Sequence, residues 1–227
     1  IDVQPLITKY PQGGEKQLIK AVTGREVPNG KLPSDVGVVV MNVTTAAAVS
    51  DAVNYCMPLT EKTVTLAGDC VKNPGNYRVR IGTPISDFIQ MTGGLKENIP
   101  LRKVILGGPM MGFALYDLYT PIVKGTSGIL CWSKEKAEFK PRTGCLRCGK
   151  CVEACPMGLE PFMLDALINA HRFEDAEKEG LLNCVNCGCC AYICPGGNPL
   201  VQNFSVAKNN ILAEKKKQAA LAKENKK

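Results

Sequence analysis

The sequence predicts an α+β protein of several domains, because hydrophobic periodicity, turn residues and cysteine spacing change along its 227 residues. Residues 1–57 show helix and strand patterns like those at the end of an α/β domain. Residues 58–133 show the pattern of a hairpin, a helix and a further strand. Residues 134–214 carry regularly spaced cysteines among short helices, and residues 215–227 form a lysine-rich tail.

Segment 1–57 is expected to contain two helices and a buried strand. Apolar spacing predicts a helix from Glu15 to Val22 and a second one from about Thr45 to Tyr55. The apolar run Val36 to Met41 predicts the strand between them. Since such a segment cannot close a core alone and Ile1 is not methionine, we expect a larger N-terminal part to complete this domain.

Residues 58–133 are predicted to begin with a β-hairpin. One strand is expected from Thr63 to Leu66, and Asn73-Pro74-Gly75 has the composition of a turn. The second strand is expected from Tyr77 to Ile81, because apolar residues alternate there with arginines.

A helix and a strand follow the hairpin. Thr83 is expected to cap a helix that ends at Gly93 and buries three apolar residues, namely Ile85, Phe88 and Ile89. A strand is then expected from Val104 to Leu106. The order of hairpin, helix and strand favours a β-grasp domain. The run Gly107 to Gly112 is interpreted as a tight connection packed on the core, and a phosphate-binding loop is the alternative.

Eight of the twelve cysteines form two copies of the pattern CxxCxxCxxxCP. Three cysteines spaced by two residues let one tight loop wrap a cubane of iron and sulfur, while backbone N–H groups point at the sulfurs. The full spacing is typical of ferredoxins with two [4Fe-4S] clusters, in which the fourth cysteine of each run ligates the other cluster. The sequence therefore predicts a ferredoxin domain that transfers electrons.

The pattern predicts two crossed ligand sets. The first cluster is assigned to Cys145, Cys148, Cys151 and Cys194. The second cluster is assigned to Cys155, Cys184, Cys187 and Cys190. The remaining thiols match no ligand pattern and are expected to be small buried hydrophobic residues: Cys56, Cys70, Cys131 and Cys189. A ligand swap between Cys189 and its neighbour Cys190 is an open alternative.

Two other uses of the cysteines fit the spacing less well. A zinc site takes four ligands around one tetrahedron, and each run offers a third cysteine at the wrong distance for two CxxC pairs. A disulfide framework is typical of short secreted chains, and a signal peptide is not expected for this protein.

The ferredoxin domain is predicted to be rich in helices. Helices are expected from Pro161, from Phe173 to Glu179, and from Pro199 onward. The last of these is expected to bury four apolar residues, namely Val201, Phe204, Ile211 and Leu212. The single histidine, His171, is interpreted as a surface or capping residue rather than a ligand.

Charge and hydropathy limit the possible partners. The formal net charge is +7, but residues 207–227 contain seven lysines and two glutamates, and each oxidised cluster would add about two negative charges. Nucleic-acid binding is therefore not expected. The tail is interpreted as a solvated helix, and docking to an acidic partner or an anionic membrane is the alternative. No apolar stretch is long enough to span a bilayer, and the reduced thiols indicate the cytoplasm.

Several motifs, together with both cysteine runs, are specific to one family. They are KYPQGGEKQLIKAVTGREVP from Lys9, GVVVMNVTTAAAV from Gly37, GDCVKNPGNYRVRIGTP from Gly68, GGPMMGFAL from Gly107 and VKGTSGIL from Val123. On these motifs the chain resembles the RnfC family, the peripheral C subunits of ion-translocating ferredoxin:NAD oxidoreductase (Rnf) complexes, over essentially its full length. Tyr10 to Leu18 and Met41 to Thr45 also resemble segments of the flavin-bearing, NADH-oxidising subunit of respiratory complex I.

The resemblance implies a fold and cofactors for each domain. Residues 1–57 would be the C-terminal part of an NADH/FMN domain, with Glu15 near the nicotinamide and Asn42 and Thr45 near the flavin. The alternative for Glu15 is a solvated residue that caps its helix. Residues 58–133 would be a β-grasp domain of the soluble-ligand-binding (SLBB) type.

The resemblance also implies a function. The protein would relay single electrons between an NADH/FMN site and the other subunits through two [4Fe-4S] clusters, coupled to Na⁺ or H⁺ translocation, with ferredoxin as a partner of the complex. It would lie peripherally on the cytoplasmic side of the bacterial membrane. Three alternatives are a cobalamin reductase of the propanediol-utilisation type, a diaphorase subunit of a soluble hydrogenase or dehydrogenase, and an interaction module with purely structural clusters.

Overall fold

The computed structural model describes residues 1–138 and 141–224. The chain divides into two compact units, one formed by Ile1–Val40 with Pro141–Lys227 and the other by Met41–Lys140. Each unit has its own hydrophobic core, and the predicted domain boundaries stay a prediction.

Helices occur in both units. Along the described chain the α-helices are α1 (Glu15–Thr23), α2 (Val43–Tyr55), α3 (Ile85–Met91), α4 (Lys134–Ala137), α5 (Lys150–Glu153), α6 (Pro161–Asn169), α7 (Phe173–Lys178), α8 (Cys189–Ile193) and α9 (Leu200–Glu224). Two short 3₁₀ helices lie at Pro33–Val36 and Leu181–Asn183.

The strands belong to the unit Met41–Lys140. They are β1 (Glu61–Ala67), β2 (Gly75–Arg80), β3 (Leu101–Leu106), β4 (Phe113–Ala114) and β5 (Gly128–Ser133), in the sheet order β2-β1-β5-β3-β4. The central strands β1 and β5 are parallel, and the other pairs are antiparallel. A hairpin, a helix and a last strand that pairs in parallel with the first give the β-grasp topology, so this prediction is confirmed.

Helix α3 supplies one side of the β-grasp core. Its buried residues are the three that the apolar spacing predicted, Ile85, Phe88 and Ile89. They pack with buried residues of β1 and β5, including Val64 and Ile129. The predicted cap is wrong, because the residue that precedes the helix is Pro84 and no side chain caps its first turn.

Gly68 brings the end of β1 against β5. Its φ is 124°, and a Cβ placed there would lie 2.0 Å from the carbonyl oxygen of Cys131. A side chain is therefore excluded on steric grounds at this position. The next residue, Asp69, accepts hydrogen bonds from the backbone N–H (3.0 Å) and from the hydroxyl of Ser133. These hydrogen bonds hold the pKa of the Asp69 carboxyl below its usual value.

The strand predicted from Val36 to Met41 is wrong. Pro33–Val36 is a 3₁₀ helix that ends at Gly37, whose φ of 71° is left-handed. Val39 is 77% exposed, and in the described chain no strand pairs with this run. A buried strand needs a partner, and apolar character alone does not supply one. The two helices of this region are confirmed. Helix α2 begins at Val43, two residues before the predicted start, because the side chain of Asn42 caps it there.

The other unit is built around α6 and α9. Its core contains buried residues of several helices, namely Cys151, Leu164, Ile168, Ala176, Leu181, Cys190, Leu200, Phe204, Ala207 and Ile211. Three of the four residues predicted to be buried on α9 are buried, whereas Leu212 is 45% exposed. Within the described residues no helix combines the length and apolarity that crossing a membrane requires.

We expect iodoacetamide at pH 8 to modify Cys56 in the iron-loaded protein far faster than Cys70 or Cys131. Cys56 is exposed, so the prediction that it is buried is wrong, and the other two thiols are buried. Burial raises the pKa of Cys131 from 9.0 to about 12, which lowers its thiolate fraction roughly a thousandfold. Peptide mass spectrometry of timed samples measures the rates. Equal rates in the folded protein would contradict the burial, and unfolding should remove the difference.

Candidate metal centres

The structure brings the cysteines of each predicted ligand set to one cavity. One cavity has four cysteines in its lining: Cys145, Cys148, Cys151 and Cys194. The other also has four: Cys155, Cys184, Cys187 and Cys190. We call them the first and the second cysteine cavity. In each cavity three cysteines come from one run and the fourth comes from the other run.

The two runs fold alike because they place unusual backbone conformations at matching positions. Arg147 and Asn186, each two residues after the first cysteine of its run, have positive φ angles of 52° and 55°. Gly149 and Gly188 have φ angles of 78° and 83° and precede the short helices α5 and α8. The left-handed turns curl each run into a loop, so that its three cysteines face one cavity.

Backbone and side-chain N–H groups point at the cysteine sulfurs. The N–H groups of Arg147 and Asn186 each donate to the Sγ of the first cysteine of their run, at 3.4 Å. The fourth cysteines accept from residues four positions on: Leu159 N–H donates to Cys155 Sγ at 3.4 Å, and Asn198 Nδ2 donates to Cys194 Sγ at 3.7 Å. Such hydrogen bonds stabilise negative charge on sulfur and therefore raise the reduction potential of a cluster bound to these cysteines.

The donor sets fit a [4Fe-4S] cluster. Four cysteine sulfurs around one cavity are the usual ligands of such a cluster, and each binds a separate iron. Within the described residues no three cysteine, histidine or carboxylate side chains meet at a point that could hold one metal ion. Burial raises the pKa of the Cys190 thiol to about 12, so iron binding there displaces a proton. The ligand assignment itself stays a prediction.

The two cavities differ in their surroundings. Cys145 and Cys148 of the first cavity are exposed, whereas Cys187 and Cys190 of the second are buried. Apolar side chains complete the lining of the second cavity, among them Leu159, Val201 and Phe204. A cluster in the second cavity would be shielded from water, and one in the first would lie near the surface.

Two of the four remaining thiols belong to the other unit's core. Cys70 and Cys131 are buried there, as predicted. Cys189 is half-buried and is not among the residues that line either cysteine cavity, whereas its neighbour Cys190 is. Burial and a hydrogen bond with Cys187 raise the pKa of the Cys189 thiol to about 11.

Two residues of the leading segment contact the second cavity. The hydroxyl of Tyr10 donates to the carbonyl oxygen of Cys187 at 2.6 Å, and Gln17 Nε2 donates to Met157 Sδ at 3.1 Å. Cys187 and Met157 both line the cavity. Burial raises the pKa of Tyr10, so its hydroxyl keeps the proton that the hydrogen bond requires. No local sequence pattern predicts these contacts, because the residues that make them lie far apart in the chain.

The candidate flavin and nicotinamide residues lie on the surfaces of their units. Glu15 is exposed in the first turn of α1. Asn42 Oδ1 accepts from the backbone N–H of Thr44 at 2.9 Å and thereby caps α2, and Thr45 is exposed in the first turn of that helix. The roles of Glu15, Asn42 and Thr45 stay predictions.

Two further motifs occupy the places predicted for them. Residues 107–112 form the turn between β3 and β4, and a Cβ at Gly112 would lie 2.6 Å from the side chain of Ile105. The tight connection is thus confirmed. His171 is exposed, follows α6 and contacts the ring of Phe173, as expected of a surface residue.

Three family models match consecutive parts of the chain. The Nuo51 FMN-binding domain matches residues 1–51, the SLBB domain matches residues 63–114, and the 4Fe-4S dicluster domain matches residues 137–195. The predicted fold class and domain types are thereby confirmed. The predicted classes of cofactor are confirmed as well. They are two [4Fe-4S] clusters, and FMN for the type of domain that residues 1–51 match.

Curated relatives match the chain at high identity. The chain is 46% identical, over 96% of its length and 48% of the relative, to the C subunit of the Na(+)-translocating ferredoxin:NAD(+) oxidoreductase complex of Acetobacterium woodii. It is 50% identical, over 79% of its length and 39% of the relative, to the C subunit of the proton-translocating ferredoxin:NAD(+) oxidoreductase complex of Clostridium ljungdahlii. It is 50% identical, over 90% of its length and 39% of the relative, to the C subunit of the ion-translocating oxidoreductase complex of Rhodobacter capsulatus.

The chain thus spans about half or less of the length of these relatives. All three are named as C subunits of oxidoreductase complexes, and none of them supports the cobalamin-reductase alternative. Family models, identity and cysteine motifs agree along the chain. Over the residues it contains, the chain therefore belongs to the RnfC family, the C subunits of ion-translocating ferredoxin:NAD oxidoreductase complexes.

Proposed function

We propose that this chain is the electron-transferring part of the C subunit of an ion-translocating ferredoxin:NAD oxidoreductase complex. The observation that carries the proposal is the pair of cavities, each with four cysteines in its lining. A [4Fe-4S] cluster, when bound, takes up and releases one electron at a time. A hydride carries two electrons, so a flavin between nicotinamide and clusters splits the pair.

The proposed ligands of the first cluster are Cys145, Cys148, Cys151 and Cys194. Those of the second are Cys155, Cys184, Cys187 and Cys190. The crossing is supported by the lining of each cavity and by the matching N–H to sulfur contacts of Cys155 and Cys194. Because each run then holds both clusters, the ligation also ties the two halves of the domain together.

The flavin site is proposed for the full-length protein. The match of residues 1–51 to an FMN-binding domain supports it. In this proposal Asn42 and Thr45 lie near FMN, and Glu15 lies near the nicotinamide of NAD(H). The contacts of Tyr10 and Gln17 keep the segment that carries Glu15 against the second cysteine cavity.

The proposed setting is the cytoplasmic side of the bacterial membrane. Other subunits of the complex would span the bilayer, exchange electrons with this protein and couple the transfer to Na⁺ or H⁺ movement. Ferredoxin would act as the redox partner of the whole complex. The names of the relatives, which are subunits of Na(+)-translocating, proton-translocating and ion-translocating oxidoreductase complexes, support the coupling of electron transfer to ion movement.

The test uses the full-length protein, reconstituted anaerobically with iron, sulfide and FMN. We expect about eight irons per chain and, on addition of NADH, the electron paramagnetic resonance signal of reduced [4Fe-4S] clusters. A Cys56→Ser variant is the matched control, because Cys56 lies outside both cavities, and it should behave like the parent protein. Bound zinc, or clusters that neither NADH nor dithionite reduces, would contradict the proposal. Faster reduction of a corrinoid than of electron-carrier proteins would favour the cobalamin-reductase alternative.

A further inference from the structure

Lys208 is a cation within an apolar row of α9. Val201 and Phe204 of this helix line the second cysteine cavity, and Lys208 follows Phe204 by one turn, so that both side chains leave the same face. Ile211 continues that face and is buried. A lysine in this row is unexpected from packing alone, because an apolar residue would fill the position at a lower desolvation cost.

The ammonium group of Lys208 ends at the loop that carries the cluster ligands. Its Nζ donates to the carbonyl oxygen of Cys184 at 2.6 Å. The ammonium therefore lies beside the backbone of the first cysteine of the second run, whose sulfur is a proposed cluster ligand. Within the described residues no carboxylate forms a salt bridge with Lys208, so its charge is not neutralised locally.

The first cysteine cavity has a different charge pattern. The charged residues that line it are Arg147 and Asp165, whose charges are of opposite sign. Arg147 is exposed, and water screens a charge in that position. Lys208 is not part of the lining of the second cavity, but it is a half-buried cation that contacts the backbone of Cys184, which does line it.

We propose that Lys208 is a positioning residue that raises the reduction potential of the cluster in the second cavity, a role that rests on the ligand sets proposed above. Adding one electron makes the cluster one unit more negative, and a nearby cation stabilises the reduced form more than the oxidised form. Because electrostatic attraction weakens with distance and screening, the effect falls on this cluster rather than on its neighbour. The lysine also holds the Cys184 carbonyl, and thereby the start of the ligand loop.

The test is a redox titration of the full-length protein, followed by electron paramagnetic resonance. A Cys148→Ser background removes the first cluster, so that only the second gives a signal. In this background we expect Lys208→Met to lower the ratio of reduced to oxidised cluster at a fixed potential about tenfold, which is 59 mV for one electron. Lys208→Arg keeps the charge and should keep the ratio within about threefold of the parent.

Lys215→Met is the matched control. Lys215 lies on the same helix and, like Lys208, is not among the residues that line a cysteine cavity. Its ammonium forms an ion pair with Glu177, whereas that of Lys208 donates to the backbone of a proposed ligand. The Lys215→Met variant should leave the ratio of reduced to oxidised cluster unchanged. An unchanged ratio in Lys208→Met overturns the role of Lys208, whereas a parent protein that binds no cluster overturns the proposed function instead. If Lys208→Met fails to retain iron, Lys208→Gln is compared with Lys208→Arg. A lower ratio of reduced to oxidised cluster in Lys208→Gln supports the role of Lys208, and equal ratios overturn it.

Discussion

Replacement of Cys155 by serine is expected to remove the cluster of the second cavity, although the other three ligands there belong to the other cysteine run. Cys155 lines the cavity with Cys184, Cys187 and Cys190, and serine is a poor ligand for a [4Fe-4S] cluster. We therefore expect iron to fall from about eight to about four per chain. Iron analysis of the reconstituted full-length protein measures the loss.

Double variants show whether the ligation is crossed. With crossed ligation, Cys155→Ser combined with Cys187→Ser removes ligands of one cluster and leaves about four irons, while Cys155→Ser with Cys148→Ser leaves nearly none. Uncrossed ligation reverses these two results. Cys189→Ser is the control for both and should keep about eight irons, because Cys189 lies outside both cavity linings. A loss of one cluster in that control would show that Cys189 is a ligand.

Replacement of Gly68 by alanine is expected to destabilise the β-grasp unit by about 3 kcal/mol or more. The new Cβ would lie 2.0 Å from the Cys131 carbonyl oxygen and 2.7 Å from two other backbone atoms of that residue. Backbone atoms of a central strand cannot move away without breaking the pairing of β1 with β5. The protein has a single tryptophan, and since it is Trp132 of β5, its fluorescence reports the unfolding of this unit in urea.

Gly82→Ala is the matched control for Gly68→Ala. Gly82 also has a positive φ, 97°, but a Cβ there would meet nothing within 4 Å. Its replacement therefore adds backbone strain without a clash and should cost about 1–2 kcal/mol. Equal costs at the two positions would show that the approach of Gly68 to Cys131 does not limit stability.

Local patterns in the sequence predicted most of the β-grasp unit. A strand was expected at β1, alternation predicted β2, and apolar spacing predicted the buried face of α3. Strand β5 is not among the predicted strands, even though Ile129, Cys131 and Ser133 alternate on its buried side. Its parallel pairing with β1 joins residues more than sixty positions apart, and such pairing leaves no local signal. The false strand from Val36 shows the opposite error, since an apolar run gave no information about a pairing partner.

At the candidate site, spacing predicted which cysteines share a cavity but not what surrounds them. The ligand spacing reflects the geometry of a small loop, which is local to each run. Tyr10 and Lys208 reach the second cavity through tertiary packing. A signal for Lys208 existed, because it interrupts the apolar row of Val201, Phe204 and Ile211 on α9. Tyr10 opens a segment that resembles the complex I subunit, but that resemblance does not indicate a contact with the cysteine runs.

The hydrogen bonds of Tyr10 and Gln17 to the rim of the second cavity have a consequence for maturation of the protein. Bound iron would restrict the loop that carries Cys187. Less conformational entropy of that loop is then lost when the hydroxyl of Tyr10 binds to it. By thermodynamic reciprocity, an ordered leading segment then strengthens iron retention to the same degree. Scarcity of iron would therefore loosen the segment around Tyr10 and Gln17, which lies within the match to the FMN-binding domain.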